Sequence, residues 1–159
     1  MQRLPLNLPG SAYASPMPFS DRDSFHRLFD EYGFHDIHTI VMLASDEESI
    51  QKTGRNLRQF YHQAGLRVIH LPIVDYSIPD GAALAQAVEA ALAELQAGAN
   101  IVIHCHYGKG RTGAFSACLA RRVLGLDGSE ALAWVRTHID HGAVETPEQE
   151  ELVRSFGEE

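Results

Sequence analysis

Apolar and polar positions alternate along this chain in blocks that predict strands and helices in turn. Short apolar runs, rich in β-branched residues, indicate buried strands at residues 37–43, 66–72 and 101–103. Between them, apolar residues recur at helical spacing, most clearly in the helix predicted for 82–96. Strands that alternate with helices predict an α/β fold, with a mostly parallel central sheet and helices on both faces.

Capping and turn residues predict the remaining elements. Further helices are expected at 23–32, 47–64, 114–124, 127–138 and from 147 onward. The first of them should bury Phe25, Leu28 and Phe29. Residues 1–20 are rich in Pro, Ser and Gly and are predicted to be irregular, with at most a short edge strand. No linker or repeat interrupts the pattern, so residues 1–159 are predicted to form a single domain.

One stretch, Ile101 to Gly113, combines a predicted buried strand with a glycine-rich loop and the start of a helix. Its sequence is IVIHCHYGKGRTG. Glycines allow backbone N–H groups to converge, and a helix N-terminus adds positive potential, so the segment predicts an anion site. Arg111 adds a planar fork of donors that suits phosphate oxygens.

Cys105, at the entrance of this loop, changes the prediction from binding to chemistry. A free cysteine has a pKa near 8.5, so only about 3% of it is thiolate at neutral pH. The groups that attract a phosphate would also stabilise a thiolate, and a pKa lower by ~2–3 units would make the sulfur a strong nucleophile. The loop therefore indicates phosphoryl transfer to cysteine. The alternative, a structural cysteine at a strand end, leaves Arg111 and the glycines unexplained.

His104 and Cys105, followed after five residues by Arg111, Thr112 and Gly113, resemble the phosphate-binding loop of cysteine-dependent protein tyrosine and dual-specificity phosphatases. The string HCHYGKGRTG matches every fixed position of that family's pattern, HCxxGxxR(S/T)G. The resemblance implies a protein tyrosine phosphatase-like fold, a phosphocysteine intermediate on Cys105, and no metal or cofactor. The residues that it implies for binding the substrate phosphate are His106, Tyr107, Gly108, Lys109, Gly110 and Arg111.

The resemblance implies supporting roles for three other residues, each with a structural alternative. The Thr112 hydroxyl would stabilise the sulfur as it leaves the phosphocysteine, or would cap the backbone of the first helical turn. His104 would order the loop and tune the thiolate, or would be a hydrogen-bonded core histidine. Gln149 would position the water that hydrolyses the phosphocysteine, or would complete a capping box with Thr146.

A phosphate ester needs an acid to protonate its leaving oxygen, and the loop after the second predicted strand holds two candidates. In the phosphatases that this chain resembles, the acid lies on a mobile loop upstream of the cysteine, commonly just before a short turn that contains proline. Asp75, upstream of Pro79, fits that place and is the predicted general acid. Asp80 directly precedes a predicted helix, where its alternative role is an N-cap.

The predicted function is hydrolysis of phosphomonoesters on phosphoproteins, with phosphotyrosine as substrate and phosphoserine and phosphothreonine as further candidates. The chain is short and resembles a compact dual-specificity phosphatase. A phosphoinositide or inositol phosphate phosphatase is the alternative, because His106 and Lys109 place two more potentially positive side chains in the loop. A rhodanese-like sulfurtransferase and an inactive phosphoprotein-binding module are further alternatives. The spacing of Cys105 and Arg111 and the upstream aspartate favour the phosphatase.

Composition narrows the expected partners. The net charge of −8 argues against nucleic-acid binding and against stable association with anionic membranes. Two well-separated cysteines and an N-terminus unlike a secretory signal indicate a cytoplasmic protein. Cys118 is expected to be a small buried hydrophobe, with a redox partner for Cys105 as the alternative. The expected partner is a phosphorylated protein substrate, and the sequence indicates no oligomeric state.

Overall fold

Five strands form one sheet in the structure, a computed structural model that describes residues 1–158. The strands are β1 Gln2–Leu4, β2 Ala12–Ser15, β3 Ile37–Met42, β4 Arg67–His70 and β5 Asn100–His104. Their spatial order is β1-β2-β5-β3-β4. Every neighbouring pair is parallel except β1 and β2, which confirms the prediction of a mostly parallel sheet.

The helices cover both faces of this sheet. Their bounds are α1 Leu28–Phe34, α2 Asp46–Thr53, α3 Leu57–Gln63, α4 Gly81–Gln96, α5 Gly110–Leu124, α6 Gly128–His138 and α7 Pro147–Ser155. One hydrophobic cluster packs α4 to α7 against one face, around Leu95, Phe115 and Leu132. A second cluster packs α1 and α3 against the other face through Tyr32 and Tyr61. The predicted placement of helices on both faces is therefore confirmed.

Two strands, β1 and β2, lie within residues 1–20, and β2 contradicts the prediction that this segment is irregular apart from a short edge strand. β1 is an edge strand, but β2 is an interior strand that pairs with β5 in parallel. The sequence of β2, Ala-Tyr-Ala-Ser, lacks the β-branched apolar residues that mark the other interior strands. Ala12 and Ala14 are buried in the cluster that contains α5, so small side chains here serve close packing and give no strand signal.

Residues 47–64, predicted as one helix, form two. Gly54 adopts a φ of +77°, in the left-handed region, and ends α2. Asn56 then begins α3, because its side chain accepts a hydrogen bond from the backbone N–H of Gln59. After this break, Leu57 and Tyr61 of α3 are fully buried against the sheet.

The first helix begins later than predicted, at Leu28. The Asp23 carboxylate accepts hydrogen bonds from the N–H groups of Arg27 and Leu28, and a 3-10 turn spans Ser24–His26. Phe25 lies in that turn with a φ of +61° and is 83% exposed, so the prediction that it is buried is wrong. Helical spacing fails here because the backbone of this segment is not helical. Leu28 is buried as predicted.

Helix α5 begins at Gly110, four residues earlier than predicted, so Arg111 and Thr112 belong to its first turn. Only residues 105–109 separate it from β5. The loop therefore lies at the carboxyl end of an interior strand, where ligands bind in parallel sheets. A Cβ on Gly113 would come within 2.9 Å of the Val144 nitrogen, so the segment before α7 packs closely on this turn. Among the described residues, no helix has the length and apolar character needed to cross a membrane.

Candidate active site

Cys105 lies at the base of the loop, immediately after β5, and is 2% exposed. Its Sγ accepts two hydrogen bonds, from the Gly108 N–H at 3.2 Å and from the Thr112 hydroxyl at 3.1 Å. Hydrogen bonds of this kind stabilise a thiolate relative to a thiol. Gly108 has a φ of +81°, and a Cβ there would come within 2.7 Å of the Ser15 carbonyl oxygen, so the loop requires glycine at this position.

Arg111 is 1% exposed, and its guanidinium is held from two sides. Nη1 and Nη2 donate to the two carboxylate oxygens of Glu48 at 2.8 and 2.9 Å, and Nη1 also donates to the Ile73 carbonyl at 2.9 Å. Burial alone would lower the pKa of Arg111, but the hydrogen-bonded Glu48 carboxylate and the charges of Cys105 and Asp75 raise it above its ordinary value. The guanidinium is therefore a fixed positive charge beside the sulfur.

The Nε atom of Arg111 is buried and has no hydrogen-bond partner within residues 1–158. A buried donor without a partner is costly, and an oxygen of a bound phosphate would satisfy it. Residues 105–111 thus supply a sulfur nucleophile in Cys105 and, in Arg111, both a fixed positive charge and an unpaired N–H donor. This arrangement can bind an anion and attack it.

Glu48 lies in the acidic first turn of α2, a sequence pattern that by itself indicates only a solvated helix start. The carboxylate instead pairs with Arg111, which lies 63 positions away in sequence, and only 17% of the Glu48 side chain is exposed. Acidic residues in the first turn of a helix are common because they offset the helix dipole, so their presence alone does not indicate a site. Tyr61 was also missed, because a buried aromatic residue on a helix is typical of any core.

His104 is fully buried and neutral. Its Nδ1–H donates to the Cys105 carbonyl at 2.9 Å, so its Nε2 accepts a hydrogen bond from the Tyr61 hydroxyl at 2.8 Å. Burial lowers the pKa of His104 from 6.5 to about 4. The ring is thus a satisfied core histidine that also contacts the backbone of the nucleophile. This contact fits the predicted role in ordering the loop, and its effect on the thiolate stays a prediction.

The two candidate acids occupy different environments. Asp75 Oδ1 lies 3.3 Å from Arg111 Nη2, and 42% of the Asp75 side chain is exposed. The same oxygen accepts the Tyr76 N–H at 2.9 Å. Asp80 instead caps α4, where its carboxylate accepts the Ala83 N–H at 3.0 Å. The structure therefore brings Asp75 to Arg111 and gives Asp80 the alternative role of a helix cap.

Gln149 is 1% exposed and completes the capping box at the start of α7. Its Oε1 accepts hydrogen bonds from the N–H groups of Glu145 and Thr146 at 2.8 and 3.3 Å. Its Nε2 donates to the Ser77 carbonyl at 3.3 Å, which connects α7 to the loop that carries Asp75. Gln149 thus lies next to the site with its side chain engaged, and its role in positioning water stays a prediction.

The other loop side chains pair with residues outside the loop. His106 Nε2 donates to Asp21 at 2.7 Å, and this hydrogen bond lowers the pKa of Asp21. Lys109 Nζ lies 3.7 Å from Asp140. Tyr107 is 40% exposed at the surface of the loop. The side chains of His106 and Lys109 therefore each have a neighbouring carboxylate.

Cys118 is a residue of α5 whose side chain lies in the hydrophobic core, and burial raises its pKa to about 12. A thiol in this environment stays protonated, which favours the small buried hydrophobe over the redox partner. Both cysteines are free. Within residues 1–158, no group of three or more His, Cys, Asp or Glu side chains is arranged to hold a metal ion.

A groove of about 580 Å³ adjoins the site between the start of α2 and the loop after β4. Glu47, Glu48, Lys52 and Asp75 are among the residues that line it. A larger groove of about 990 Å³ runs along edge strand β4, away from the predicted site residues. The chemistry of Cys105 and its neighbours, and not the size of a cavity, identifies the site.

Residues 19–124, about two thirds of the chain, match the family model described as "Tc-R-P: Polymorphic toxin system, DSP-PTPase phosphatase". The chain therefore belongs to this family of dual-specificity-type protein tyrosine phosphatases. The match includes the whole of the loop from Cys105 to Arg111 and the loop that carries Asp75. It confirms the family resemblance inferred from the pattern of that loop.

Individual relatives agree with this assignment. Cyclin-dependent kinase inhibitor 3 of Sus scrofa is 31% identical over 102 residues, which are 64% of this chain and 48% of that protein. The chain thus spans about half the length of this curated relative. Tk-PTP in its active form has a TM-score of 0.78 at 28% identity, covering 98% of this chain and 95% of that chain. Kinase associated phosphatase with its catalytic-site cysteine changed to serine has a TM-score of 0.85 at 22% identity, with 98% and 92% covered, and shows the fold.

Proposed function

We propose that this protein hydrolyses phosphomonoesters on phosphoproteins, with phosphotyrosine as substrate and phosphoserine and phosphothreonine as further substrates. The observation that carries the proposal is the pair of donors on the sulfur: the Gly108 N–H and the Thr112 hydroxyl both contact Cys105 Sγ. The buried Arg111 beside them, with an unpartnered Nε, supplies the matching phosphate-binding group. Membership of the phosphatase family and the similarity to Tk-PTP support it.

In the first proposed step, the Cys105 thiolate attacks phosphorus, forming the S–P bond as the bond to the leaving oxygen breaks. Arg111 and the loop N–H groups hold the three equatorial oxygens, whose charge is spread in the transition state. Asp75 gives its proton to the leaving oxygen. Its 3.3 Å distance from Arg111 Nη2 places the carboxyl beside the group that binds the phosphate.

In the second proposed step, water attacks the phosphocysteine and inorganic phosphate leaves. Asp75, now a carboxylate, takes a proton from the water, and Gln149 orients that water. The S–P bond breaks and returns the electron pair to Cys105 Sγ. The Thr112 hydroxyl, 3.1 Å from the sulfur, stabilises the charge that develops there. These steps use side chains of this chain and no cofactor.

A phosphoprotein substrate is favoured over a phosphoinositide. The sequence argument for a phosphoinositide depended on extra positive charge from His106 and Lys109. In the structure, the His106 side chain donates to Asp21 and Lys109 Nζ lies 3.7 Å from Asp140, so both side chains already face carboxylates. The net charge of −8 also opposes an anionic membrane surface.

The proposed location of the protein is the cytoplasm, where reducing conditions keep the Cys105 sulfur from being oxidised.

A substrate panel tests this proposal. It compares phosphotyrosine, phosphoserine and phosphothreonine peptides, 4-nitrophenyl phosphate and phosphoinositides, with Cys105→Ser as control. We expect phosphate release from the peptides, and Cys105→Ser should abolish turnover while phosphopeptide binding remains. Turnover that survives in Cys105→Ser would refute the mechanism.

Two further results would each support another function. Tight phosphopeptide binding without phosphate release by the unmodified protein would indicate a binding module. Sulfur transfer from thiosulfate to cyanide would indicate a sulfurtransferase.

A further inference from the structure

Most exposed arginines of this protein pair with carboxylates, but a group beside the loop does not. Five exposed or partly exposed arginines away from the loop each lie within 4 Å of a glutamate or aspartate oxygen: Arg58, Arg67, Arg122, Arg136 and Arg154. In contrast, Arg27 and Arg55 have no such partner within residues 1–158, and neither does Arg3 on edge strand β1, which is not part of this group. Arg22 has only Asp21, at 3.9 Å, and that carboxylate already accepts a hydrogen bond from His106. These exposed arginines are available to an outside anion.

Each of the three guanidinium groups instead stacks on an aromatic ring. Arg22 lies 3.6 Å from the centre of the Tyr107 ring, and Arg27 lies 5.3 Å from the centre of the Phe25 ring. Arg55 lies 4.1 Å from the ring of Phe19 and 5.2 Å from that of Phe60. Stacking uses the flat face of a guanidinium and leaves the N–H groups at its edge free for carboxylates.

The segment that carries Arg22 and Arg27 is attached to the catalytic loop. The Met17 N–H donates to the His106 carbonyl at 2.9 Å, and the His106 side chain donates to Asp21 at 2.7 Å. Arg22 then stacks on Tyr107, two residues after the nucleophile. An extended peptide advances about 3.3 Å per residue, so residues within a few positions of a bound phosphoresidue can reach Arg22, and Arg27 follows it in the same segment.

The same segment is ordered before any partner binds. Asp23 is 5% exposed, and its carboxylate accepts the N–H groups of Phe19, Arg27 and Leu28. A surface held in this way loses little conformational freedom when it binds a ligand.

The acidic groups of the site lie on its other side. β5 stands between β2 and β3, so the segment after β2 and the loops after β3 and β4 flank the catalytic loop from opposite directions. The loops after β3 and β4 carry Glu47, Glu48 and Asp75, whereas Arg55, which also follows β3, packs on Phe19 of the segment after β2. An acidic segment is repelled there and attracted toward the arginines, which gives a bound peptide a direction.

We propose that Arg22, Arg27 and Arg55 form a docking surface for an acidic peptide segment that flanks the phosphoresidue of the substrate. This inference rests on the proposed phosphatase function and names its substrate class: phosphoproteins with Asp or Glu close to the phosphorylated residue. The protein as a whole carries a net charge of −8, which repels such segments, so this local surface decides whether they bind. The exposed aromatic Phe25 adds apolar contact next to Arg27.

The test compares two phosphotyrosine peptides that differ only in having three Glu or three Gln beside the phosphoresidue. Exposed ion pairs each contribute up to about fivefold, so we expect kcat/KM about 10-fold higher for the Glu peptide. The variant R22Q/R27Q/R55Q should remove this preference, while its kcat/KM for 4-nitrophenyl phosphate stays within about twofold. The single variant R27Q, whose side chain stacks only on exposed Phe25, should lose part of the preference and guards against misfolding of the triple variant.

A second triple variant, R67Q/R122Q/R154Q, is the matched control, because it makes the same change in net charge at sites remote from the loop. It should keep the full preference for the Glu peptide. Equal kcat/KM for the two peptides in the unmodified protein, or an equal loss in both triple variants, would overturn the proposal. The surface would be assigned to a lipid instead if R22Q/R27Q/R55Q kept the peptide preference but lost binding to vesicles of phosphatidylcholine with phosphatidylinositol phosphate.

The 4-nitrophenyl phosphate measurement separates this proposal from the function on which it rests. No hydrolysis of that small ester by the unmodified protein would refute the phosphatase function, and the docking surface as a substrate site with it. Hydrolysis of the ester without preference between the peptides would refute the docking surface alone.

Discussion

Replacing Glu48 by Gln tests whether the position of the buried Arg111 depends on a charged partner. The substitution keeps the shape of the side chain but removes one of the two oxygens that accept hydrogen bonds from Nη1 and Nη2, and the negative charge. Hydrogen bonds between charged groups contribute about 1.5–3 kcal/mol, and Arg111 keeps its contacts with Ile73 and Asp75. We therefore expect a loss of about 2 kcal/mol, which corresponds to roughly a 30-fold lower kcat/KM.

The assay measures kcat and KM for a phosphotyrosine peptide, together with thermal unfolding. A loss of about 2 kcal/mol should also lower Tm by about 4–8 °C in a chain of this size. Glu47→Gln is the matched control, because Glu47 is exposed, lies next to Glu48 and has no contact with Arg111 among the described residues. It should change kcat/KM by less than about twofold. Full activity in Glu48→Gln, or an equal loss in Glu47→Gln, would refute the argument that Glu48 positions the arginine.

The remaining predictions concern three other groups. Asp75→Asn should lower kcat about 100-fold with KM little changed, because the variant lacks the general acid. Asp80→Asn should keep activity, and the reverse result would transfer the role to Asp80. The pKa of His104 falls from 6.5 to about 4 on folding, so between these values the unfolded chain binds more protons and stability rises with pH. From pH 7 to pH 5 this group should cost about 2 kcal/mol of folding stability, and a His104 NMR titration midpoint near 6.5 would contradict this. Burial raises the pKa of Cys118 to about 12, so iodoacetamide at pH 8 should label Cys105 and spare Cys118 in the folded protein, and equal labelling by mass spectrometry would disagree.

The catalytic loop could be predicted from the sequence because its geometry is local. A strand, five loop residues and a helix start determine where the Gly108 N–H, the Thr112 hydroxyl and the sulfur meet. The capping box at Thr146 is local in the same way, and it was predicted correctly together with its Gln149. Contacts between residues less than about two helical turns apart follow from backbone geometry, so their residue types and spacing carry the information.

Elements whose signal depends on tertiary packing were missed. β2 has no β-branched apolar residue, and only its place between β1 and β5 makes it a strand. The turn around Phe25 is local, since Asp23 accepts the N–H groups of Phe19 and Arg27, but an aspartate before helically spaced apolar residues fits an ordinary helix start equally well. For β2, the local sequence is compatible with several conformations, and its neighbours in the sheet select one.

The partner of Arg111 shows how far the sequence argument can be extended with the sheet order in hand. A guanidinium that is 1% exposed requires a negative partner, because burying an unpaired charge is costly. The sequence offers 21 acidic residues, but reaching the carboxyl end of the sheet requires a position soon after one of its parallel strands, as Asp75 has after β4. β3 is such a strand, and the acidic run 46–48 follows it. Within that run, Asp46 pairs with Arg58 and Glu47 is exposed, which leaves Glu48 to face the loop. The requirement for a partner thus follows from the chemistry of the loop, whereas its identity follows from the order of the strands.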